Sequence, residues 1–299
     1  MHNEPQTSTL ERSPLPGASL DERLPPHLYF VVSAVFHYLG PAFAVLLFSR
    51  VEPLGVAWLR ITSAGLIFAL WRRPWRYFMR QDANVRWNIV ALGAVLGCMN
   101  VCFYLAIARL PLGTVGAIEF IGPIALALAG TRTQRNIVAL AVAVAGVWML
   151  THLRIADAPM GFLFAFANCG LFMLYIVLGH RVARDGGSAG VDRLAAAMLV
   201  ALLLVMPLGL HDAAVAFASP ALLAAGIGIG VSSSVIPYIC DQLAMARLPR
   251  ATFALLLALL PATASMIGIV VLHQIPSPVE MTGIALVIAG VNLHRASRR

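Results

Sequence analysis

Three ionisable side chains, Arg60, Glu119 and Asp241, stand inside long apolar stretches of a chain that otherwise keeps its charges at the ends of such stretches. An ionisable group at the centre of a bilayer costs about 2.5–3.5 kcal/mol on insertion scales, so each needs a partner, a water-filled cavity or a task. A guanidinium is flat and offers paired donors that suit a carboxylate, and a buried carboxylate holds an ammonium or carries a proton. Arg60 and Glu119 together would match the two ends of a zwitterion. The other chemistry open to them is mutual neutralisation, which would only fasten one helix to another. Asp241, beside Gln242 and close to Arg247, reads either as a second proton-carrying site or as half of an ion pair at the membrane interface.

Around these three lie polar groups that an apolar segment has to tolerate. Asn100 and Tyr104 are one helical turn apart, as are Tyr238 and Gln242. They read as the lining of a cavity or as interhelical hydrogen bonds of about 0.6–2 kcal/mol each. Three prolines fall within apolar stretches. Pro123 leaves the carbonyl of Glu119 without its helical donor, Pro237 does so for Ser233 and Pro261 for Leu257. Such breaks occur where irregular backbone lines a cavity, and also where a helix only kinks for packing. His37 could titrate near neutral pH but stands alone and reads more readily as structural. Gly226, Gly228 and Gly230, followed by Ser232, Ser233 and Ser234, lack the lysine of a phosphate loop and fit close helix packing.

Other chemistries find little support. Cys98, Cys102, Cys169 and Cys240 fall in apolar stretches, where thiols act as small hydrophobes, and no histidine pair accompanies Cys98 and Cys102 to form a metal site. No cofactor motif is present. There is no His-Glu-x-x-His, no Gly-x-Ser-x-Gly and no second aspartate placed to form a dyad with Asp241, so an intramembrane enzyme is disfavoured.

The elements that must position these residues follow from composition. Of 299 residues, 60% are hydrophobic and 11% charged, with a mean hydropathy of +0.84, against about 25% charged in an ordinary soluble domain. The solvent is lipid. The apolar stretches are long and continuous, not short and alternating, which indicates helices and not a barrel. At about 20 residues per crossing, the sequence predicts an all-α membrane protein of ten transmembrane helices, over 27–48, 53–71, 87–108, 112–130, 137–152, 160–179, 194–210, 220–246, 251–272 and 279–294. Residues 1–26 hold five prolines and no apolar signal core, and residues 295–299 are basic; both are expected to be cytoplasmic, the first as a disordered tail. With that orientation seventeen of the 21 basic residues lie inside, and only Arg50, Arg109 and Arg154 lie outside, as the positive-inside rule requires. Membrane lipid, not nucleic acid, therefore accounts for the net charge of +8. Arg60 and Glu119 then each sit about seven residues into their helices, roughly 10 Å below the outer surface.

The segment Leu105-Ala-Ile-Ala-Arg-Leu-Pro111 recurs as Leu243-Ala-Met-Ala-Arg-Leu-Pro249, which also aligns Thr114 with Thr252 and Pro123 with Pro261. Over 105–123, eight of nineteen positions are identical at this offset of 138 residues. The chain thus divides into two five-helix repeats, 27–152 and 160–294, and because five is odd the second must insert upside down. Inverted repeats characterise secondary transporters. The offset pairs Asn100 with Tyr238 and Tyr104 with Gln242, but Glu119 with Leu257 and Asp241 with Phe103, so any coupling chemistry is asymmetric.

The stretch Gly97-Cys-Met-Asn-Val-Cys-Phe-Tyr-Leu-Ala-Ile-Ala-Arg-Leu-Pro-Leu-Gly113, continued by Ala117-Ile-Glu-Phe-Ile-Gly-Pro123, resembles the drug/metabolite transporter superfamily with its paired EamA-type domains. Within it the chain is most similar to bacterial inner-membrane threonine and homoserine exporters, and Ser234-Val-Ile-Pro-Tyr238 and Arg247-Leu-Pro-Arg-Ala-Thr-Phe253 carry the likeness into the second half. The resemblance implies efflux of small amino acids driven by protons, from the inner membrane, with no cofactor. A homodimer is compatible with it. On this reading Arg60, Glu119, Asn100, Tyr104, Tyr238 and Gln242 bind substrate, while Glu119 and Asp241 handle the proton. Two positions depart from the family pattern: Leu260 replaces an acidic residue before Pro261, and His273-Gln274 replaces Gly-Glu. An exporter of drugs or other hydrophobic metabolites is the alternative, favoured if Arg60 and Glu119 do no more than pair with each other.

Overall fold

The computed structural model describes residues 25–130, 133–152, 157–183, 187–249, 253, 256 and 259–293. The expected tails, Arg132, Arg154, Arg250, Thr252 and Leu257 lie outside these. Among the described residues the regular structure is helical: α1 (Pro26–Leu47), α2 (Pro53–Arg72), α3 (Pro74–Met79), α4 (Ala83–Ile107), α5 (Leu112–Gly130), α6 (Gln134–His152), α7 (Pro159–Ala183), α8 (Gly187–Ala213), α9 (Pro220–Arg247), α10 (Leu259–Leu272) and α11 (Pro278–Leu293). Six of these begin on proline, whose missing N–H costs nothing in a first turn and whose fixed φ suits a helix. Ser277 and Glu280 exchange side-chain and backbone hydrogen bonds to start α11 as a capping box.

The helices depart from the expected ones at three places. Arg73 takes a left-handed conformation, φ 49°, which ends α2 and redirects the chain into the short α3, where no helix is expected. Trp75 and Met79 of α3 are exposed while Pro74 is buried, the pattern of a helix lying on an interface. α8 begins at Gly187 rather than 194 and continues to Ala213 through Pro207. α9 is one long helix whose middle, Val231–Val235, widens into a π turn directly before Pro237.

Six helices, α1, α2, α4, α7, α8 and α9, are long and apolar enough to cross a membrane, and four shorter apolar helices, within α5, α6, α10 and α11, accompany them. Leu70, Val270, Leu203 and Trp148 face outward, as lipid-facing side chains do. Where helices meet, small residues let backbones approach: a Cβ on Gly93 of α4 would run into the carbonyl of Ala197 on α8, and Gly146 of α6 meets Gly283 of α11. α2 packs along α8, and α6 along α11. α4 packs on α7, and α1 on α9; α5 packs on α7, and α1 on α10. The near face of the bundle, where α1 begins, is joined by Arg72 of α2 to Asp192 of α8 at 2.6 Å. On the far face the side-chain oxygen of Gln274 accepts the first N–H of α5, from Leu112, at 3.0 Å.

Candidate functional site

Arg60 is buried on α2 and turns toward the widened part of α9. Its Nε donates to Ser234 Oγ at 2.8 Å, and Nη2 donates to the carbonyl of Ser233 at 2.6 Å and to Tyr238 Oη at 3.4 Å. The carbonyl released by Pro237 is thus taken by the guanidinium. Nη1 has no partner among the described residues. The guanidinium lies over the Tyr104 ring, 5.4 Å from its centroid, a cation–π contact. The approach of α2 to α9 depends on Gly226, packed on Leu59, and Gly230, packed on Ser63 and the Arg60 carbonyl; Gly228 has open space beside it.

Glu119, on α5, is equally buried and receives two neutral donors. Tyr38 Oη of α1 donates to Oε2 at 2.7 Å and Asn168 Nδ2 of α7 to Oε1 at 2.9 Å. Gly116, one turn earlier on α5, leaves room for the Tyr38 hydroxyl. His37 Nε2 lies 3.9 Å from Oε2. Asp241 on α9 is held by the same two helices one step nearer the near face: Ser33 of α1 donates to Oδ1 at 2.5 Å and Tyr175 of α7 to Oδ2 at 2.6 Å. Numbers rise along α1 as they fall along α7, so the two helices run antiparallel past both acids. Of the two readings of Asp241, an ion pair with Arg247 or a proton-carrying site, the ion pair is not formed: its oxygens face these two hydroxyls.

His37, Arg60, Met99, Asn100, Phe103, Glu119, Asn168 and Tyr238 line one small space of about 10 Å³ among buried side chains, room for about one water. Arg60 and Glu119 share this space without bonding each other; each is hydrogen-bonded by groups from other helices. Asn100 Nδ2 donates to Tyr238 Oη at 3.0 Å, a contact between two positions that the sequence repeat makes equivalent. Tyr104 and Ser233 keep buried hydroxyls without a hydrogen bond among the described residues, both beside Arg60. Gln242 is set apart: its buried amide faces Gly179 and Gly190 and does not reach the cavity. Pro123 and Pro261 sit within α5 and α10, and the Pro261 carbonyl accepts from Ser265.

The threonine/homoserine exporter RhtA of Escherichia coli is 32% identical over 253 residues, 84% of this chain and 84% of its own length. RhtA of Salmonella typhimurium is 30% identical over 285 residues, 92% of this chain and 93% of its own. The EamA-like transporter family profile matches residues 159–294. The chain belongs to the EamA-like transporter family. It is a multi-pass membrane transporter and not an enzyme. A solved structure described only as "Crystal structure of protein" shares the fold, with a TM-score of 0.62 at 19% identity over 90% of this chain and 95% of that chain. In this EamA-like chain, the residues that the sequence reading passed over are Ser33, Tyr38, Asn168 and Tyr175. Each looks like an ordinary hydrogen-bonding residue of an apolar helix. Their signal was spacing: Ser33 and His37 are four apart on α1, and Asn168 and Tyr175 seven apart on α7, so each pair shares a helix face.

Proposed function

We propose that this transporter exports small amino acids, threonine- or homoserine-like, or related zwitterionic metabolites, by proton antiport with alternating access. The observation that carries the reading is that Arg60 and Glu119 face one small buried space without bonding each other. The open Nη1 edge of Arg60 and the unpaired hydroxyls of Tyr104 and Ser233 are donors for a substrate carboxylate. Glu119, oriented by Tyr38 and Asn168, accepts the ammonium. A proton held at this carboxylate competes with that ammonium, and Asp241 serves as a second carboxyl group on the path toward the near face.

The chain carries ten membrane helices arranged as two inverted repeats, 27–152 and 160–294, in a bacterial inner membrane, with the near face and both termini cytoplasmic. Two features support the repeat: Asn100 meets Tyr238, its partner by the 138-residue offset, and the packing of α4 on α7 and α5 on α7 is matched by that of α9 on α1 and α10 on α1. Groups related by a two-fold axis touch when they lie on it. Rocking of one repeat against the other about that axis would open the space to each side in turn. The alternative, export of hydrophobic compounds, calls for Arg60 and Glu119 to pair with each other, whereas each is hydrogen-bonded to other groups.

The test is uptake of labelled threonine, homoserine and other amino acids into proteoliposomes of the full chain under an imposed proton gradient. Wild type is expected to accumulate a small amino acid, and Glu119→Gln to lose gradient-driven accumulation. No amino acid accumulated by folded wild type, with competition only from lipophilic cations, would reject the reading.

A further inference from the structure

The cavity has a charge balance that its residues do not close. α2 contributes the cation Arg60 and α5 the carboxyl Glu119 to its lining, and α9 places the buried carboxyl Asp241 outside that lining, one step nearer the near face. α1 adds His37 and the phenol Tyr38; α4 adds Asn100 and Tyr104; α7 adds Tyr175 and Cys169; α9 adds Tyr238 and Cys240. The described residues of α10, packed on α1 and α5, include no ionisable group, and α8 keeps Asp192 at the near face, bound to Arg72. Phenols and thiols are neutral at pH 7. One cation therefore faces two carboxylates, and an uncompensated charge in such surroundings is strongly disfavoured. One proton has to be retained.

Asn168 Nδ2 can only donate to Glu119 Oε1, so that oxygen has no acid proton directed at it, whereas the hydroxyls of Tyr38, Ser33 and Tyr175 can turn to donate or to accept. His37 offers a base for the retained proton beside Glu119. His37 lies 3.9 Å from Glu119 Oε2, lines the cavity, and makes no ring-nitrogen hydrogen bond to the described residues. It stands one turn from Ser33, the ligand of Asp241, and its ring packs on Phe172, which stacks on Tyr175. His37 is thus placed between the two acids on the seam of α1 and α7.

We propose that His37, as an imidazolium beside Glu119, carries the proton that is exchanged for the substrate ammonium. When the ammonium takes its place at the Glu119 carboxylate, the proton on Nε2 leaves to water on the side that is open, the imidazole becomes neutral, and no other bond changes. On the return step the imidazole takes a proton from the opposite side as the ammonium departs. One proton crosses per zwitterion, so each cycle moves one net positive charge. The substrate part of this inference rests on the export reading, whereas the protonation part does not.

The deciding experiment is nitrogen NMR of histidine in the substrate-free full chain, with the His37 signal assigned by His37→Gln. A charged His37 in wild type at pH 6.5 that becomes neutral in Glu119→Gln is the expected result, and a neutral His37 in wild type at that pH overturns the proposal whatever the variants do. In proteoliposomes, His37→Gln should lose accumulation driven by the proton gradient. Undiminished gradient-driven accumulation in that variant would equally overturn it. Wild type that moves no amino acid but holds a charged His37 coupled to Glu119 would remove the substrate assignment and retain the proton site.

Discussion

At the scale of single residues, the geometry of Arg60 matters more than its charge. Its fork holds a side-chain oxygen and a freed backbone carbonyl at once, Ser234 Oγ through Nε and Ser233 O through Nη2, while its face covers the Tyr104 ring. Lysine carries the same charge at a single point. Arg60→Lys should therefore give folded protein whose apparent KM for the amino acid rises by about ten- to a hundredfold, the equivalent of one charge-assisted hydrogen bond of about 1.5–3 kcal/mol. Initial-rate transport at several substrate concentrations checks this, and an unchanged KM would reduce Arg60 to a fastening between α2 and α9. The sequence made Arg60, Glu119 and Asp241 conspicuous because a charge among apolar residues is a costly exception. It could not show their partners. Tyr38, Asn168, Ser33 and Tyr175 become ligands of the acids only through contacts between helices 49 to 208 residues apart, and nothing local distinguishes such a residue from a tyrosine or asparagine that bonds a neighbouring helix.

At the scale of elements, α9 is where local sequence and site chemistry meet. Pro237 removes the donor for the Ser233 carbonyl, the preceding residues widen into a π turn, and the released oxygen faces Arg60. The proline break was legible from the sequence, and so was the tight packing at Gly226 and Gly230; the π turn was not, because it depends on Arg60 arriving from α2 to take the carbonyl. Pro237→Ala should let the helix close to regular α geometry, relieving a penalty of up to about 3 kcal/mol. The expected outcome has opposite signs in two measurements: the melting temperature stays the same or rises, while transport falls about tenfold or more because Arg60 loses its anchor. A variant that is merely less stable, with transport falling in proportion to folded protein, would show that the break serves packing alone. Helix ends were the least legible part, as α3 and the first turns of α4 and α8 show, since polar residues near an interface are tolerated in either helix or loop.

At the scale of the whole molecule, a cavity of about 10 Å³ is too small for an amino acid, so something must move before a substrate enters, and the two faces are fastened differently. The near face holds α2 to α8 by the Arg72–Asp192 ion pair, about three-quarters shielded from solvent, with Arg193 of α8 donating to Tyr77 Oη of α3 at 3.1 Å. The far face is crossed by the neutral bond from the Leu112 N–H to Gln274, at one of the two positions where this chain departs from the family pattern. A partly exposed ion pair contributes about 1 kcal/mol at most, enough to shift a balanced two-state equilibrium about fivefold. Asp192→Asn should therefore favour opening at the near face. With the four native cysteines replaced and Met99→Cys placed in the cavity wall, labelling by a membrane-impermeant maleimide applied to the near face is expected to quicken about fivefold, whereas labelling from the far face slows. Equal rates from both faces, before and after the substitution, would mean that the ion pair only ties α2 to α8 and that access is controlled elsewhere. The same assay on Gln274→Ala should give the reverse asymmetry, because weakening the far-face contact favours the state open on that side.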